Sequence, residues 1–268
     1  MCRKNGLISR KINIFVAAIV LMLQMTSGCA LNKQETVIDL FAAKSLNGAM
    51  EELIDIYGQN NPDVKIQTNY ESSGTLMTQI VEGSACDIFF SAGEKQINTL
   101  EEKGLVVAGT RENLLKNRLC VVTYSGSTTQ VTGLNDINKA SSLAIAGESV
   151  PVGYYTRIAL QNAGCSELLE NKDINECANV GAVVAAIKEH SNEVGTIYYS
   201  DVTGHEGEIK IIEIVSDELT GDIVYPVVRI THDKANLKKI AEIDKFIEFL
   251  KSDKAKSVFE KYNFITYQ

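Results

Sequence analysis

The chain is expected to fold as an α/β protein whose sheets are mixed but mostly parallel and flanked by helices. Short apolar strands alternate with amphipathic helical patterns from residue 37 onward. Strands separated by helices pair in parallel, because the crossover needs the intervening length. The 268 residues are 45% hydrophobic and 22% charged, enough apolar mass for a real core and unlike a disordered chain. No internal repeat, low-complexity tract or Pro/Gly-rich linker interrupts the pattern, so any division into lobes must be made by strands that cross between them.

Val37–Ala42 is a short apolar strand. Leu46, Ala49, Met50, Leu53, Ile54 and Tyr57 then fall three and four apart, the spacing of one helix face. Gly58 is expected to end that helix, and Asn60-Asn61-Pro62-Asp63 to turn the chain. Val64, Ile66, Thr68 and Tyr70 alternate as a strand, Thr75–Glu82 is a helix stopped by Gly83, and Asp87–Ser91 is a third strand. Glu94–Lys103 is a helix ended by Gly104. A second set follows: strands Arg118–Tyr124 and Leu143–Ala146, helix Tyr154–Asn162 before Gly164, and a helical stripe of Val180, Val183, Val184 and Ile187. Gly195–Tyr199, Ile209–Val215 and Ile223–Ile230 are strands, and helices Leu237–Leu250 and Ser252–Tyr262 close the chain.

The first 28 residues read as an address. Arg3, Lys4, Arg10 and Lys11 precede an almost wholly apolar run, Ile12–Leu23. That run is shorter than the roughly 20 residues a membrane span needs and has the flanks of a signal peptide. It ends in Thr26-Ser27-Gly28-Cys29, small residues before a cysteine that resemble a bacterial lipoprotein signal, with Thr26 where that signal usually has Leu. The expectation is an extracytoplasmic domain lipid-anchored to the cell membrane at Cys29 by two or more acyl chains. Of the other cysteines, Cys86, Cys120, Cys165 and Cys177 show no C-x-x-C spacing, so neither zinc nor a redox motif is suggested. Cys165 and Cys177 either form a disulfide across a loop or stay buried thiols.

Charge and composition exclude other classes. Lys and Arg number 26 against 34 Asp and Glu; without the first 28 residues 22 basic residues remain, a net charge of −12. Nucleic-acid binding draws its affinity from Lys and Arg on phosphates and is not expected. There are three histidines, His190, His205 and His232, too few for chemistry built on histidine clusters.

The informative positions follow the strands. The first strand runs into Ala43-Lys44-Ser45 and the second into Ser72-Ser73-Gly74, each serine sitting at a helix start. Ligands of open α/β sheets bind beyond the carboxyl ends of the strands. Helix N-termini there offer free N–H groups and a partial positive charge that suit an anion. A single serine at a helix start is ordinarily only a cap; two in matching topological positions point to one shared anion. Val150-Pro151-Val152-Gly153 and Asn179-Val180-Gly181 also precede helices, and Tyr198 ends a strand with a phenol that stays protonated and so can donate.

The ordered series Phe41-Ala-Ala-Lys-Ser-Leu, Ser72-Ser-Gly-Thr-Leu, Asp87-Ile-Phe-Phe-Ser-Ala, Val150-Pro-Val-Gly-Tyr-Tyr, Asn179-Val-Gly-Ala-Val, Ile197-Tyr-Tyr-Ser-Asp, Tyr225-Pro-Val and Phe259-Glu-Lys-Tyr-Asn-Phe resembles the molybdate-binding proteins of molybdate ABC importers. Each motif is weak, but the series covers nearly the whole chain after the signal. The resemblance implies a two-lobed periplasmic-binding-protein fold, divided as residues 37–118 for the first part of lobe 1, 119–225 for lobe 2 and 226–268 for the return to lobe 1, after a 1–28 signal peptide and a 29–36 linker. It implies a non-catalytic solute-binding protein, a monomer that captures molybdate or tungstate and passes it to an ABC permease. No cofactor is expected, and molybdenum enters only as the bound oxyanion, with no direct protein–metal ligand. Carried over by position, the ligand groups are the hydroxyl and backbone N–H of Ser45 and Ser73, the N–H of Val152 and Val180, and the hydroxyl of Tyr198. The chain departs from the family in Lys44 and Val152, both usually Ala, and in a shorter Gly147–Val150 loop. Hinges are expected near Arg118–Val121 and Val224–Val228.

Other readings stay open at this level. The fold suits sulfate or phosphate equally. The pairs Tyr154-Tyr155 and Tyr198-Tyr199 resemble those of ferric-iron binding proteins, although no carboxylate or histidine sits beside them. Gly147-Glu148-Ser149-Val150-Pro151 begins like the nucleophile elbow of a serine hydrolase and lacks its last glycine.

Overall fold

The computed structural model describes residues 35–168, 174–231 and 236–267. The 1–28 signal segment, Cys29 and His232 lie outside the described residues. The elements in order are β1 (Thr36–Ala43), α1 (Asn47–Asn60), β2 (Val64–Glu71), α2 (Ser73–Val81), β3 (Ile88–Phe90), α3 (Glu94–Glu102), β4 (Glu112–Asn117), β5 (Leu119–Tyr124), β6 (Leu143–Ala146), α4 (Pro151–Asn162), β7 (Ile174–Cys177), α5 (Val180–Lys188), β8 (Val194–Tyr198), β9 (Ile209–Ile214), α6 (Asp217–Thr220), β10 (Ile223–Arg229), α7 (Leu237–Leu250), α8 (Asp253–Lys261) and β11 (Ile265–Thr266).

The strands form two sheets, one ordered β11-β4-β10-β3-β1-β2 and the other β7-β6-β8-β5-β9. Each is mixed, as expected. In the first, β1 runs parallel to β2 and β3, while β10 is antiparallel to both β3 and β4. In the second, β6 runs parallel to β7 and β8, while β5 is antiparallel to β8 and β9. The period-2 alternation of strands sorts the core. Leu40, Ala42, Ile88 and Phe90 face one layer with Leu53, Phe246 and Phe259, while Phe41 and Phe89 face another with Leu76, Ile97 and Val228. The second sheet carries α4 and α5 against β5, β6 and β8.

The chain crosses between the sheets twice. The first crossing is the step from Asn117 to Leu119; the second lies between Ile214 and Ile223. β10 belongs wholly to the first sheet, so the return precedes residue 226. The expected hinge at Val224–Val228 sits inside a strand paired on both edges. Pro226 is there because the pairing with β4 shifts register between Tyr225 and Pro226, a bulge being where a residue without an N–H fits a sheet.

Other departures are local. α1 runs two residues past Gly58, which a helix interior tolerates, and stops where Pro62 excludes a further turn. α4 starts at Pro151 rather than Tyr154, proline being suited to the first helical position. β4 (ENLLKN) was not expected, because it lacks alternation. Cys165 and Cys177 are free thiols, hydrogen-bonded to the nearby carbonyls of Ala163 (3.4 Å) and Asn175 (3.6 Å). Cys86, Cys120 and Cys177 are buried, and burial pushes their pKa up, that of Cys120 to about 12.

Gly153 sets how close α4 comes to the end of β6: a Cβ there would collide with the carbonyl oxygens of Ala146 and Gly147. In Gly153→Ala the gain in helix propensity, about 1 kcal/mol, is outweighed by forcing backbone from backbone. The expected net loss is about 1–3 kcal/mol, or a melting temperature lower by roughly 2–10 °C in differential scanning calorimetry.

Candidate functional site

Because β1, β2 and β3 are parallel, as are β6, β7 and β8, the turns that follow these strands gather at one edge of each sheet. The two edges face each other across a small cavity. Ser45, Ser73, Val152, Val180 and Tyr198 all line it, three elements of one sheet meeting three of the other. Its free volume is about 10 Å³, far below the roughly 300–1,000 Å³ typical of sites for larger organic ligands.

Neither serine is a helix cap. The cap of α2 is Ser72, whose oxygen accepts from Thr75 N at 3.1 Å. Ser73 is the first helical residue; it is buried, and its Oγ accepts from Ala92 N at 2.9 Å. Ser45 lies in the single 3₁₀ turn Lys44–Leu46 ahead of α1, and its Oγ is 3.0 Å from the Tyr225 hydroxyl. Both serines therefore sit at or beside a helix start without capping it: Ser73 is the first residue of α2, and α1 begins two residues after Ser45. A hydroxyl that accepts from a backbone N–H keeps its own proton to donate, which is the state of Ser73.

The backbone supplies further donors. Val152 is the second residue of α4, and Val180 the first of α5. The N–H groups at such positions have no intrahelical partner. The cap of α5 is Asn179, whose side chain accepts from Ala182 N at 3.0 Å, leaving the Val180 N–H to the cavity. Tyr198 is 1% exposed, and its hydroxyl donates to the carbonyl of Ala92 at 3.4 Å. Desolvation pushes the pKa of Tyr198 far up, with Tyr225, Tyr155 and Asp201 adding to the shift, so it acts as a neutral donor. No Asp or Glu lines the cavity; the cation there is Lys44, whose stem lies beside Gly181.

Contacts between the two sheets' elements hold the cavity closed. Asn179 Nδ2 donates to Glu71 Oε2 at 3.2 Å, and Lys95 Nζ sits 5.3 Å from the centre of the Tyr154 ring. Gly74 packs so tightly on the Gly147–Val150 loop that a Cβ would be 2.5 Å from the Ser149 carbonyl oxygen.

Three polar residues behind the cavity, Asp201, Asn117 and Tyr225, were not expected as part of the site. Asp201 accepts from Tyr198 N at 3.1 Å, and burial raises its pKa to about 7, against the smaller opposing pull of that hydrogen bond. Asn117 and Tyr225, 2% and 0% exposed, form a hydrogen-bonded pair at the first crossing. A tyrosine inside an apolar strand was the available signal, since a buried phenol needs a partner.

The groups behind the hydrolase and ferric-iron readings lie apart among the described residues. Ser149 is an exposed turn residue. His190 stacks on Tyr124, and His205 pairs with Glu208 at 3.3 Å, so neither serves Ser149 as a base. Among the described residues no group of three or more His, Cys, Asp or Glu could hold a metal, and Tyr155 and Tyr198 are held as neutral phenols by burial.

The chain matches the family model of bacterial extracellular solute-binding proteins over residues 38–265. It is 29% identical over 267 residues to YvgL of Bacillus subtilis, provisionally named an ABC transporter substrate-binding lipoprotein, covering 95% of this chain and 98% of that one. It is 28% identical over 238 residues to the molybdate-binding protein ModA of Escherichia coli, covering 86% and 89%. The solved substrate-binding domain of a provisionally named molybdenum ABC transporter from Clostridium difficile is 32% identical with a TM-score of 0.66, over 87% of this chain and 99% of that one.

The raised pKa of Asp201 has a stability consequence. Between about pH 4 and 7 the folded state retains a proton that the unfolded chain has lost, so this site's favourable contribution, full below about pH 4, is lost as pH rises to about 7. Asp201→Asn has no proton to lose. Its stability relative to the wild type is expected to be greater at pH 8 than at pH 5 in urea denaturation; an equal difference at both values would contradict the assignment.

Proposed function

The chain belongs to the family of bacterial extracellular solute-binding proteins, and we propose that it captures molybdate outside the cytoplasm and passes it to an ABC permease. The architecture of two mixed sheets joined by two crossings is the two-lobed periplasmic-binding-protein fold, whose lobes close on a ligand by hinge motion. The observation that carries the reading is the cavity itself: Ser45, Ser73, Val152, Val180 and Tyr198 converge on it from both lobes with neutral donors.

A tetrahedral oxyanion is a dianion at neutral pH, and burying it unpaired is very costly. Hydrogen bonds to a charged group contribute about 1.5–3 kcal/mol each, so the hydroxyl and N–H of both serines, two further N–H groups and one phenol can together offset desolvation. The cavity is far smaller than a site for an organic ligand. Tungstate is nearly the size of molybdate and is expected to bind as well. Sulfate and phosphate are the lesser alternatives. The role is transport rather than catalysis, with the protein acting as a monomer anchored by lipid at Cys29 and the closed lobes forming the face that the permease recognises.

Isothermal titration calorimetry tests this directly, since the chain has no Trp to report by fluorescence. Sub-micromolar binding of molybdate and tungstate is expected, with sulfate and phosphate silent. Tyr198→Phe removes one donor and is expected to weaken molybdate by about 10- to 100-fold. Silence of the wild type with all four anions would sink the reading.

A further inference from the structure

The hydroxyl of Ser45 is held from behind by a fully buried chain of polar groups, and the chain has a direction. Asn117 Oδ1 accepts from the backbone N–H of Arg118 at 2.9 Å and of Ser200 at 3.4 Å. Two backbone donors on one side fix the amide orientation, because a flipped amide would set its NH₂ against them. Asn117 Nδ2 therefore faces the other way, donating to Ser200 Oγ at 2.8 Å and to the Tyr225 hydroxyl at 3.1 Å. All four hydrogen-bonding functions of this amide are used.

Tyr225 thus has one oxygen lone pair filled by Asn117 and one proton to give. Its neighbours are Ser45 Oγ at 3.0 Å and Tyr198, whose ring lies 5.7 Å away and whose hydroxyl donates to the carbonyl of Ala92. With Asn117 on one lone pair of Tyr225, Ser45 Oγ is placed to accept the Tyr225 proton, and the proton of Ser45 is then left to point into the cavity.

We infer that Asn117 and Tyr225 are positioning residues that orient Ser45 as a hydrogen-bond donor toward the bound anion, and so bias the site toward fully deprotonated oxyanions. The inference rests on the oxyanion reading above. It explains why a polar pair is kept in an otherwise apolar core, where each unsatisfied group would be costly. It also ties the site to the first crossing, since Asn117 ends β4 in one lobe while Ser200 belongs to the other. A protonated anion such as hydrogen phosphate needs an acceptor for its own proton, and this arrangement denies it one at Ser45.

The test is calorimetric titration of the wild type, Tyr225→Phe and Asn117→Asp with molybdate and with phosphate at pH 8, with a thermal melt of each. Tyr225→Phe frees the Ser45 hydroxyl and should weaken molybdate about 10- to 100-fold. Asn117→Asp reverses the relay: the new carboxylate takes the Tyr225 proton, Ser45 must donate to Tyr225, and its lone pair turns to the cavity. Molybdate should weaken at least as much, and the ratio of phosphate to molybdate affinity should rise about tenfold or more. A role confined to packing would lower both anions by one factor, so an unchanged ratio, or wild-type binding in a Tyr225→Phe protein of unchanged melting temperature, overturns the relay and leaves the oxyanion reading intact. Failure of the wild type to bind any oxyanion removes both. Should the variants not fold, NMR of the molybdate-loaded wild type decides. The relay requires an exchange-protected hydroxyl proton bonded to Tyr225 with a nuclear Overhauser contact to the Ser45 β-protons; a proton bonded to Ser45 and directed at Tyr225 contradicts it.

Discussion

The structure is organised around backbone N–H groups that have no partner within their own helices. The first turn of any helix leaves such donors unsatisfied. Here Ser73, Val152 and Val180, each in the first turn of a helix, line one small cavity. The parallel strands bring the helix starts together at the sheet edges, and glycine at positions 74 and 153 lets the helix ends approach neighbouring backbone more closely than any Cβ would allow. What can occupy the space between is set by the donors: something small, anionic and rich in acceptors.

Neutral donors make a different site from a cluster of lysines and arginines. A long cationic side chain must be ordered and desolvated to pair with a buried dianion, and it attracts any anion. A ring of fixed N–H and O–H groups is already ordered by the fold and favours an acceptor at particular points. Burial keeps the Tyr198 phenol protonated, Ala92 N leaves the Ser73 proton free, and Asn117 with Tyr225 does the same for Ser45. The half-buried Asp201 is tied to this apparatus through Tyr198 N, and Glu71 through Asn179.

Much of this could be read from residue order. The alternation of strands and helices, the serines after β1 and β2 and the helix starts at Val152 and Val180 are local features, and local patterns survive in a sequence. Strand β4, the register of β10 and the place of the second crossing were not legible, because strand partners are chosen by tertiary packing. Ser73 was legible as a residue at a helix start; that Ser72 rather than Ser73 caps the helix turns on which hydroxyl reaches Thr75 N and which reaches Ala92 N, a matter of one residue in phase. Asn117 and Tyr225 were invisible as a pair because 108 residues separate them and neither sits in a turn or at a helix start.

The most direct measurement of the central claim is the anomalous scattering of molybdenum in crystals of the protein grown with molybdate. The account predicts one strong peak inside the cavity between the lobes, with ligand oxygens within hydrogen-bonding distance of Ser45 Oγ, Ser73 Oγ, Tyr198 Oη and the backbone nitrogens of Val152 and Val180, and with no charged side chain in the first contact layer. A peak elsewhere on the protein, or one held in the cavity chiefly by Lys44 Nζ, would contradict it.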